Sequence, residues 1–314
     1  MYANILQKIE EYKTIVIHRH VHPDLDAIGS QLGLRGIIQN NFSGKSVYVV
    51  GDNSDVNFLG EMDDVEDSIF ENALSIVLDV AGSSRVSDER FHNAQETMVI
   101  DHHKNGTDFA DHFFSDSKQI ATCQILTDMC IREELSIDSD TATYLYAGLV
   151  TDSGRFLYPL TNALTFECAA YLYNNGARVQ EIYDALYDED INFKKLKGHF
   201  INNFKTTDQN VAYMKNVPEL GKRFNVSTFT ISRGMVNQMS GIHGIPAWVN
   251  FTEDDDGLIY VEIRSKKIPV VDIARKYGGG GHDLACGCTL SKWEDTDALL
   301  HDLDQLIERN QDNG

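Results

Sequence analysis

Four short stretches of the chain concentrate carboxylates and imidazoles at spacings that could hold metal ions. The first is HRHVHPDLDAIGS, where His20, Asp24 and Asp26 follow a strand-like run and precede a helix-like one. Two carboxylates two residues apart on a tight turn can address two neighbouring cations, and an imidazole can complete one coordination sphere. A polar loop that caps the helix is the plainer explanation. The second is Asp79, closing the apolar run SIVLDV, where a capping carboxylate would look the same. The third is Asp101-His102-His103 directly after another apolar run, with a surface histidine pair as the competing reading. The fourth, GLVTDSGRF, places Asp152 after an apolar segment and Arg155 three residues on. For Arg155, a contact to a ligand phosphate and an internal ion pair with a site carboxylate stand level.

Each signal alone is moderate, but His20, Asp24, Asp26, Asp79, His102 and Asp152 together form a donor set for a pair of divalent cations rather than for one structural zinc. Imidazole among oxygen donors tilts the choice to Mn²⁺, with Mg²⁺ as the alternative. Paired ions about 3.5–4 Å apart can activate water and stabilise the leaving oxygen of an in-line attack at phosphorus, so no nucleophilic Ser or Cys is required. A second cluster lies towards the C-terminus: Arg264-Ser265-Lys266-Lys267, Arg275-Lys276, then Gly278 to Gly281 and His282. Consecutive glycines are either a hinge or a place where bare backbone and a guanidinium clamp an anion, and the neighbouring basic residues favour the clamp.

Positioning these residues requires a particular scaffold. Runs at 14–18, 46–50, 74–80 and 97–100 read as buried strands, with a helix at 26–40 between the first two. Apolar strands that deliver polar residues at their C-terminal ends are how open α/β sheets build sites. Helical spacing follows at 120–132 and 138–148, so residues 1–190 are expected to be one parallel α/β domain. A lysine-bearing helical stretch from 182 to 204 suggests a linker over 191–210. Short strands at 211–214, 227–232, 247–252 and 258–264 and a helix at 295–308 suggest a smaller α/β domain over 211–314.

At 314 residues and 42% hydrophobic the chain can bury a sizeable core, and its net charge of −21 argues against holding long nucleic acid. Five cysteines without a CxxC pair, together with an N-terminal stretch that has no export or membrane pattern, lead to the expectation of a cytoplasmic protein with no membrane partner.

The order of these blocks (HxxPDLD, lone Asp79, DHH, TDSGRF, RSK and GGGGH) resembles the DHH phosphoesterase superfamily. It is most similar to the branch with an appended DHHA-type domain that contains oligoribonucleases of very short RNA and phosphatases of 3′-phosphoadenosine 5′-phosphate (pAp). The resemblance runs from about Thr14 to about Leu290 with no motif missing. It implies that His20 and Asp24 bind one ion, that Asp26, His102 and Asp152 bind the other, and that Asp79 bridges both. It also implies that His103 faces the scissile phosphate. Arg264, Ser265, Gly279, Gly280, Gly281 and His282 would then hold the substrate end remote from the ions, across an active-site cleft between the domains. A homodimer is compatible with it. Cys286 and Cys288 depart from the small alanines common after the glycines, and their alternation suits packing on a strand face.

The leading expectation is therefore hydrolysis of short oligoribonucleotides to mononucleotides and of pAp to AMP. The alternatives are a phosphodiesterase for cyclic di-AMP or its linear product pApA, which would use the same groups, and a catalytically silent nucleotide sensor. The complete donor set counts against the sensor. A pyrophosphatase lacks the GGGGH block, and a processive DNA exonuclease would want a basic track.

Overall fold

A computed structural model describes residues 1–52, 59–104 and 106–311, which form two compact units, 1–188 and 189–314. In the first unit, helix α1 (Tyr2–Glu11) leads into strand β1 (Thr14–His18), α2 (Leu25–Asn41) and β2 (Ser46–Val49). Strands β3 (Ala73–Leu78), β4 (Glu96–Asp101) and β5 (His112–Ser115) follow. All five strands are parallel, in the order β2-β1-β3-β4-β5. The order reverses between β1 and β3, which opens a crevice at their C-terminal ends.

Fully buried Ile15, Ile17, Leu74, Ile76, Met98 and Ile100 on one sheet face pack on the helices α2, α3 (Thr122–Arg132) and α4 (Ser139–Asp152). Helices α5 (Ala163–Asn174) and α6 (Val179–Tyr187) complete the unit. The contact between α2 and α4 is unusually close. A Cβ on Gly29 would lie 2.4 Å from the Tyr144 carbonyl, and one on Gly148 would lie 2.3 Å from Cys123 Sγ and 2.8 Å from Asp26 Oδ1. Both positions therefore require glycine for helix packing. The helix expected to stop at 148 runs on to Asp152, because its apolar spacing continues through Leu149 and Val150, both fully buried.

The second unit opens with α7 (Ile191–Asn203), followed by β6 (Lys205–Thr206), β7 (Ala212–Asn216), α8 (Glu219–Phe224), β8 (Ala247–Glu253) and β9 (Ile259–Ser265). It closes with α9 (Val271–Lys276), β10 (Gly280–His282), β11 (Ala285–Leu290) and α10 (Glu294–Gln311). Its sheet runs β10-β11-β9-β8-β7-β6, antiparallel except for the β7–β8 pair.

Two sequence expectations change here. The stretch read as a linker helix breaks after Tyr187, and α7 buries Leu196 and Phe200 against Met214, Met235 and Trp248, so it is part of this unit's core. The stretch 227–232 is not a strand: Ser227 Oγ caps the Thr230 amide and a single π-helical turn spans Thr230–Gly234. Its β-branched residues raised strand propensity, but the local capping bond decides the conformation. Among the described residues no helix is long and apolar enough to cross a membrane.

A candidate two-metal centre and a glycine-floored groove

Six donors converge at the crevice of the first unit. The segment after β1 is held flat against 85–87, with Val21 N donating to the Arg85 carbonyl at 2.8 Å and Ser87 N to the Arg19 carbonyl at 2.9 Å. The buried Arg19 guanidinium braces it from beneath through the His20 carbonyl, 3.2 Å away. His20 Nδ1 lies 2.8 Å from the Val21 carbonyl, which can only accept, so Nδ1 carries a hydrogen and Nε2 is the nitrogen turned to the site. That Nε2 is 3.8 Å from Asp24 Oδ1 and 3.5 Å from Asp79 Oδ2. His102 Nε2 lies 3.3 Å from Asp79 Oδ1, 3.5 Å from Asp152 Oδ2 and 3.9 Å from Asp26 Oδ2.

Asp24, Asp26 and Asp79 are aimed by the backbone. Asp24 caps α2, accepting the amides of Asp26 and Ala27, so the capping explanation and the donor explanation both apply to it. Asp26, in the first turn of α2, accepts the Thr122 amide at 2.7 Å and the Cys123 amide at 2.9 Å from the N-terminus of α3. Asp79 has a left-handed backbone, φ 59°, which turns its side chain back over the strand end. Such a conformation costs about 1–2 kcal/mol for a non-glycine residue and persists where its surroundings over-determine it. Here the Asp79 amide donates to the Ile100 carbonyl and Thr122 Oγ1 donates to its carboxylate.

The donor set fits a pair of divalent cations. His20, Asp24 and Asp79 make one close group and Asp26, His102 and Asp152 another, and the two oxygens of Asp79 face different imidazoles. Most of these N···O separations are too long for strong hydrogen bonds and suit atoms that share one ion through bonds of about 2.0–2.2 Å.

The electrostatics agree. Burial, helped by the Asp79 charge, pushes the Asp26 carboxyl up to about 7, and burial with Asp26 and Asp24 pushes Asp152 to about 8. Burial alone would lower both imidazoles. Asp24 and Asp79 outweigh it at His20, as do Asp79, Asp26 and Asp152 at His102, raising each to about 10. At Asp79, burial is overcome by His102 and His20, which hold it well below the usual carboxylate range. Cations would displace the protons this cluster otherwise retains.

Two flanking residues behave differently. His103 Nδ1 is 2.7 Å from Asp101 Oδ1, a buried carboxylate that raises the imidazole's affinity for a proton, and the ring is part-exposed beside the site. Arg155, itself at φ 60°, forms no ion pair with a site carboxylate among the described residues. Its Nε donates to Tyr187 Oη at 3.2 Å and its guanidinium lies over the Tyr187 ring at 5.4 Å.

In the second unit, Arg264, Gly280 and His282 line a groove over β9, β11 and β10. Register explains its shape. Gly280 pairs with Gly287, which pairs with Glu262, and His282 pairs with Ala285, which pairs with Arg264, so the floor is nearly bare backbone. A Cβ on Gly279 would strike the Gly287 carbonyl at 2.1 Å and one on Gly281 would strike Cys286 Cα at 2.7 Å, whereas one on Gly280 would meet nothing within 4 Å. Two of the three expected ligand-facing glycines thus serve strand pairing, and the stretch is a paired strand rather than a hinge.

Ser265 lies on the opposite, buried face of β9, its hydroxyl given to the Ile268 carbonyl, so it does not reach the groove. Arg275 and Lys276 are neutralised by Asp272 and Asp302. Cys286 and Cys288 are buried, as are the other three cysteines, all as free thiols. Sequence reasoning missed Arg233 and Glu262, which also line the groove. Arg233 carries no motif, but the two-residue period of VEIRS places Glu262 beside Arg264.

Imidazoles and carboxylates gathered at a switch point make a donor set of the kind that, with divalent cations bound, can drive water onto phosphorus without a serine or cysteine nucleophile. Residues 14–149 match the DHH family, N-terminal domain, and residues 220–309 match the DHHA1 domain. The chain belongs to the DHH phosphoesterase family.

The bifunctional oligoribonuclease and PAP phosphatase NrnA of Bacillus subtilis (strain 168) is 33% identical over 315 residues, 99% of this chain and 100% of that protein. The cyclic-di-AMP phosphodiesterase GdpP of Geobacillus thermodenitrificans (strain NG80-2) is 25% identical over 90% of this chain and only 45% of its own length. The crystal structure of an exopolyphosphatase-related protein from Bacteroides fragilis matches with a TM-score of 0.78 at 25% identity, covering 98% of this chain and 97% of that one.

Proposed function

We propose that the chain hydrolyses very short oligoribonucleotides to mononucleotides and removes the 3′-phosphate of pAp to leave AMP, using two divalent cations, Mn²⁺ foremost. The observation that carries this reading is Asp79, whose two oxygens face His20 and His102 at 3.5 and 3.3 Å and so join two donor groups into one centre. The full-length similarity to a protein named for both activities supports it over the cyclic di-AMP alternative, whose named relative is matched over less than half its length.

When bound, paired divalent cations supply polarisation of the phosphoryl oxygens and activation of the attacking water. His20, Asp24, Asp26, Asp79, His102 and Asp152 hold them. His103, braced at Nδ1 by Asp101, presents its other nitrogen to the scissile phosphate and steadies the negative charge that grows on it. In the first unit Arg155, supported by Tyr187, is a phosphate contact. In the second, Gly280 and His282 are nucleotide contacts, with Arg264, Gly279 and Gly281 shaping the groove around them. The buried free cysteines support a reducing cytoplasm as the place of action. A homodimer is compatible with this reading, and light scattering would decide it.

The test is a substrate panel of pAp, an RNA dinucleotide, a long RNA oligomer, cyclic di-AMP, pApA and pyrophosphate, each with Mn²⁺ and with chelator. Fast, Mn²⁺-dependent loss of pAp and the dinucleotide is expected. Preference for cyclic di-AMP or pApA would replace the substrate assignment, and no turnover of any compound would sink the enzymatic reading.

A further inference from the structure

Arg264, the expected anion donor of the groove, is already committed. Its Nη1 donates to the Ile263 and Cys286 carbonyls at 2.9 and 3.3 Å, its Nη2 donates to Glu262 Oε2 at 2.9 Å, and its side chain is only 22% exposed. Arg233 reaches the same groove from the π-helical turn and is differently placed. It uses only Nε, which donates to the other oxygen of Glu262 at 3.0 Å, and its guanidinium lies over the Phe229 ring at 5.4 Å. Its two terminal amino groups have no hydrogen-bond partner among the described residues, and the side chain is 65% exposed. Glu262 is 12% exposed, so one sheltered carboxylate gives an oxygen to each guanidinium.

We propose that Arg233, oriented by Glu262, is a specificity-determining residue that binds a terminal phosphomonoester of the nucleotide through its free amino pair. This rests on the nucleotide reading of the site. A planar guanidinium fork matches two phosphate oxygens, and among the described groove residues Arg233 presents one with both amino groups free. Two guanidiniums against one carboxylate leave the groove a net positive charge within a chain of net charge −21, and that local exception attracts an anion. The Gly280–Gly287 floor beside Glu262 lets the phosphate approach without meeting a side chain. Glu262 and Phe229 restrict an exposed arginine that would otherwise sample many rotamers, so the fork is pre-oriented. Glu262 acts through Arg233 and is a positioning residue. A ligand ending in a phosphomonoester is thereby preferred to one ending in a hydroxyl.

Titration calorimetry on the full chain with chelator decides this. Without cations the carboxylates of the first unit repel phosphate, and 5′-AMP and adenosine differ only in the phosphomonoester. The native protein should bind 5′-AMP about tenfold or more tightly than adenosine, the worth of a charge-assisted pair. Arg233→Ala should remove most of that ratio and Arg233→Lys should restore part of it. Glu262→Gln should weaken 5′-AMP binding several-fold with adenosine binding unchanged, and circular dichroism melts check that each variant is folded. An Arg233→Ala ratio within about twofold of native, or a native protein indifferent to the phosphate, overturns the proposal. Because 5′-AMP is bound and not turned over, failure of the hydrolysis panel would remove the catalytic reading and leave this result intact.

Discussion

The two units present functional side chains by opposite means. In the first, carboxylates from a strand end and from the termini of two helices are crowded together with too little positive charge to balance them, and Asp79 is held in a left-handed conformation. In the second, Arg233 and Arg264 at the groove and Arg275 and Lys276 on the nearby helix are each already paired with a carboxylate. A site that retains cations is made by withholding counter-charge inside rigid structure. A site that takes up and releases an anion is made of cations whose charge is partly compensated.

The largest expected effect comes from Asp79→Asn, which keeps size and backbone preference but removes the charge shared between two donor groups. It should lower kcat by about 10³-fold or more and shrink the rise in melting temperature that Mn²⁺ gives the native protein, as steady-state kinetics and calorimetry would show. Retained activity would break the first half of the comparison. Next, Gly148→Ala drives a methyl group into Cys123 and Asp26 and should destabilise the fold by about 1–3 kcal/mol in urea titrations while weakening Mn²⁺ binding.

The pH dependence of the cation-free protein sharpens the same half. Asp26 and Asp152 rise from 3.8 to about 7 and about 8, so the folded chain holds more protons than the unfolded one and their contribution to stability falls as pH rises across that window. His20 and His102 rise from 6.5 to about 10, a stabilising contribution fully present below 6.5 and lost through 10. Both act in one direction, so the melting temperature with chelator should fall between pH 6 and 9, and added Mn²⁺ should raise it more at pH 9. An Mn²⁺ effect independent of pH would count against proton displacement.

Two smaller effects concern the groove. Gly279→Ala should destabilise the β10–β11 pair, whereas Gly280→Ala should leave the melt unchanged and raise KM. Ser265→Ala should cost about 0.5–1.5 kcal/mol of stability with KM unchanged, and a rise in KM would return that hydroxyl to the groove.

Much of the first unit was legible because its strands are continuous apolar runs that end in chemistry: SIVLDV and the run before DHH announce both the strand and the delivered group. What escaped there was the demand for glycine at 29 and 148, since it arises from contact between helices far apart in sequence. In the second unit the glycine run and RSK were visible, but Ser265 was misassigned because adjacency was read in place of alternation along β9. Arg233 was invisible because a π-helical turn, fixed by a local cap and tertiary packing, brings it to strands about 30 residues away.

The left-handed backbone at Asp79 also bears on descent. Besides glycine, aspartate and asparagine are the residues that most readily adopt that conformation. Their codons differ by one base, so the smallest tolerated mutational step at this position keeps the architecture and discards the charge. A form of this chain that keeps the fold and the groove but lacks the shared charge is therefore one base change away, and asparagine at 79 would be its mark.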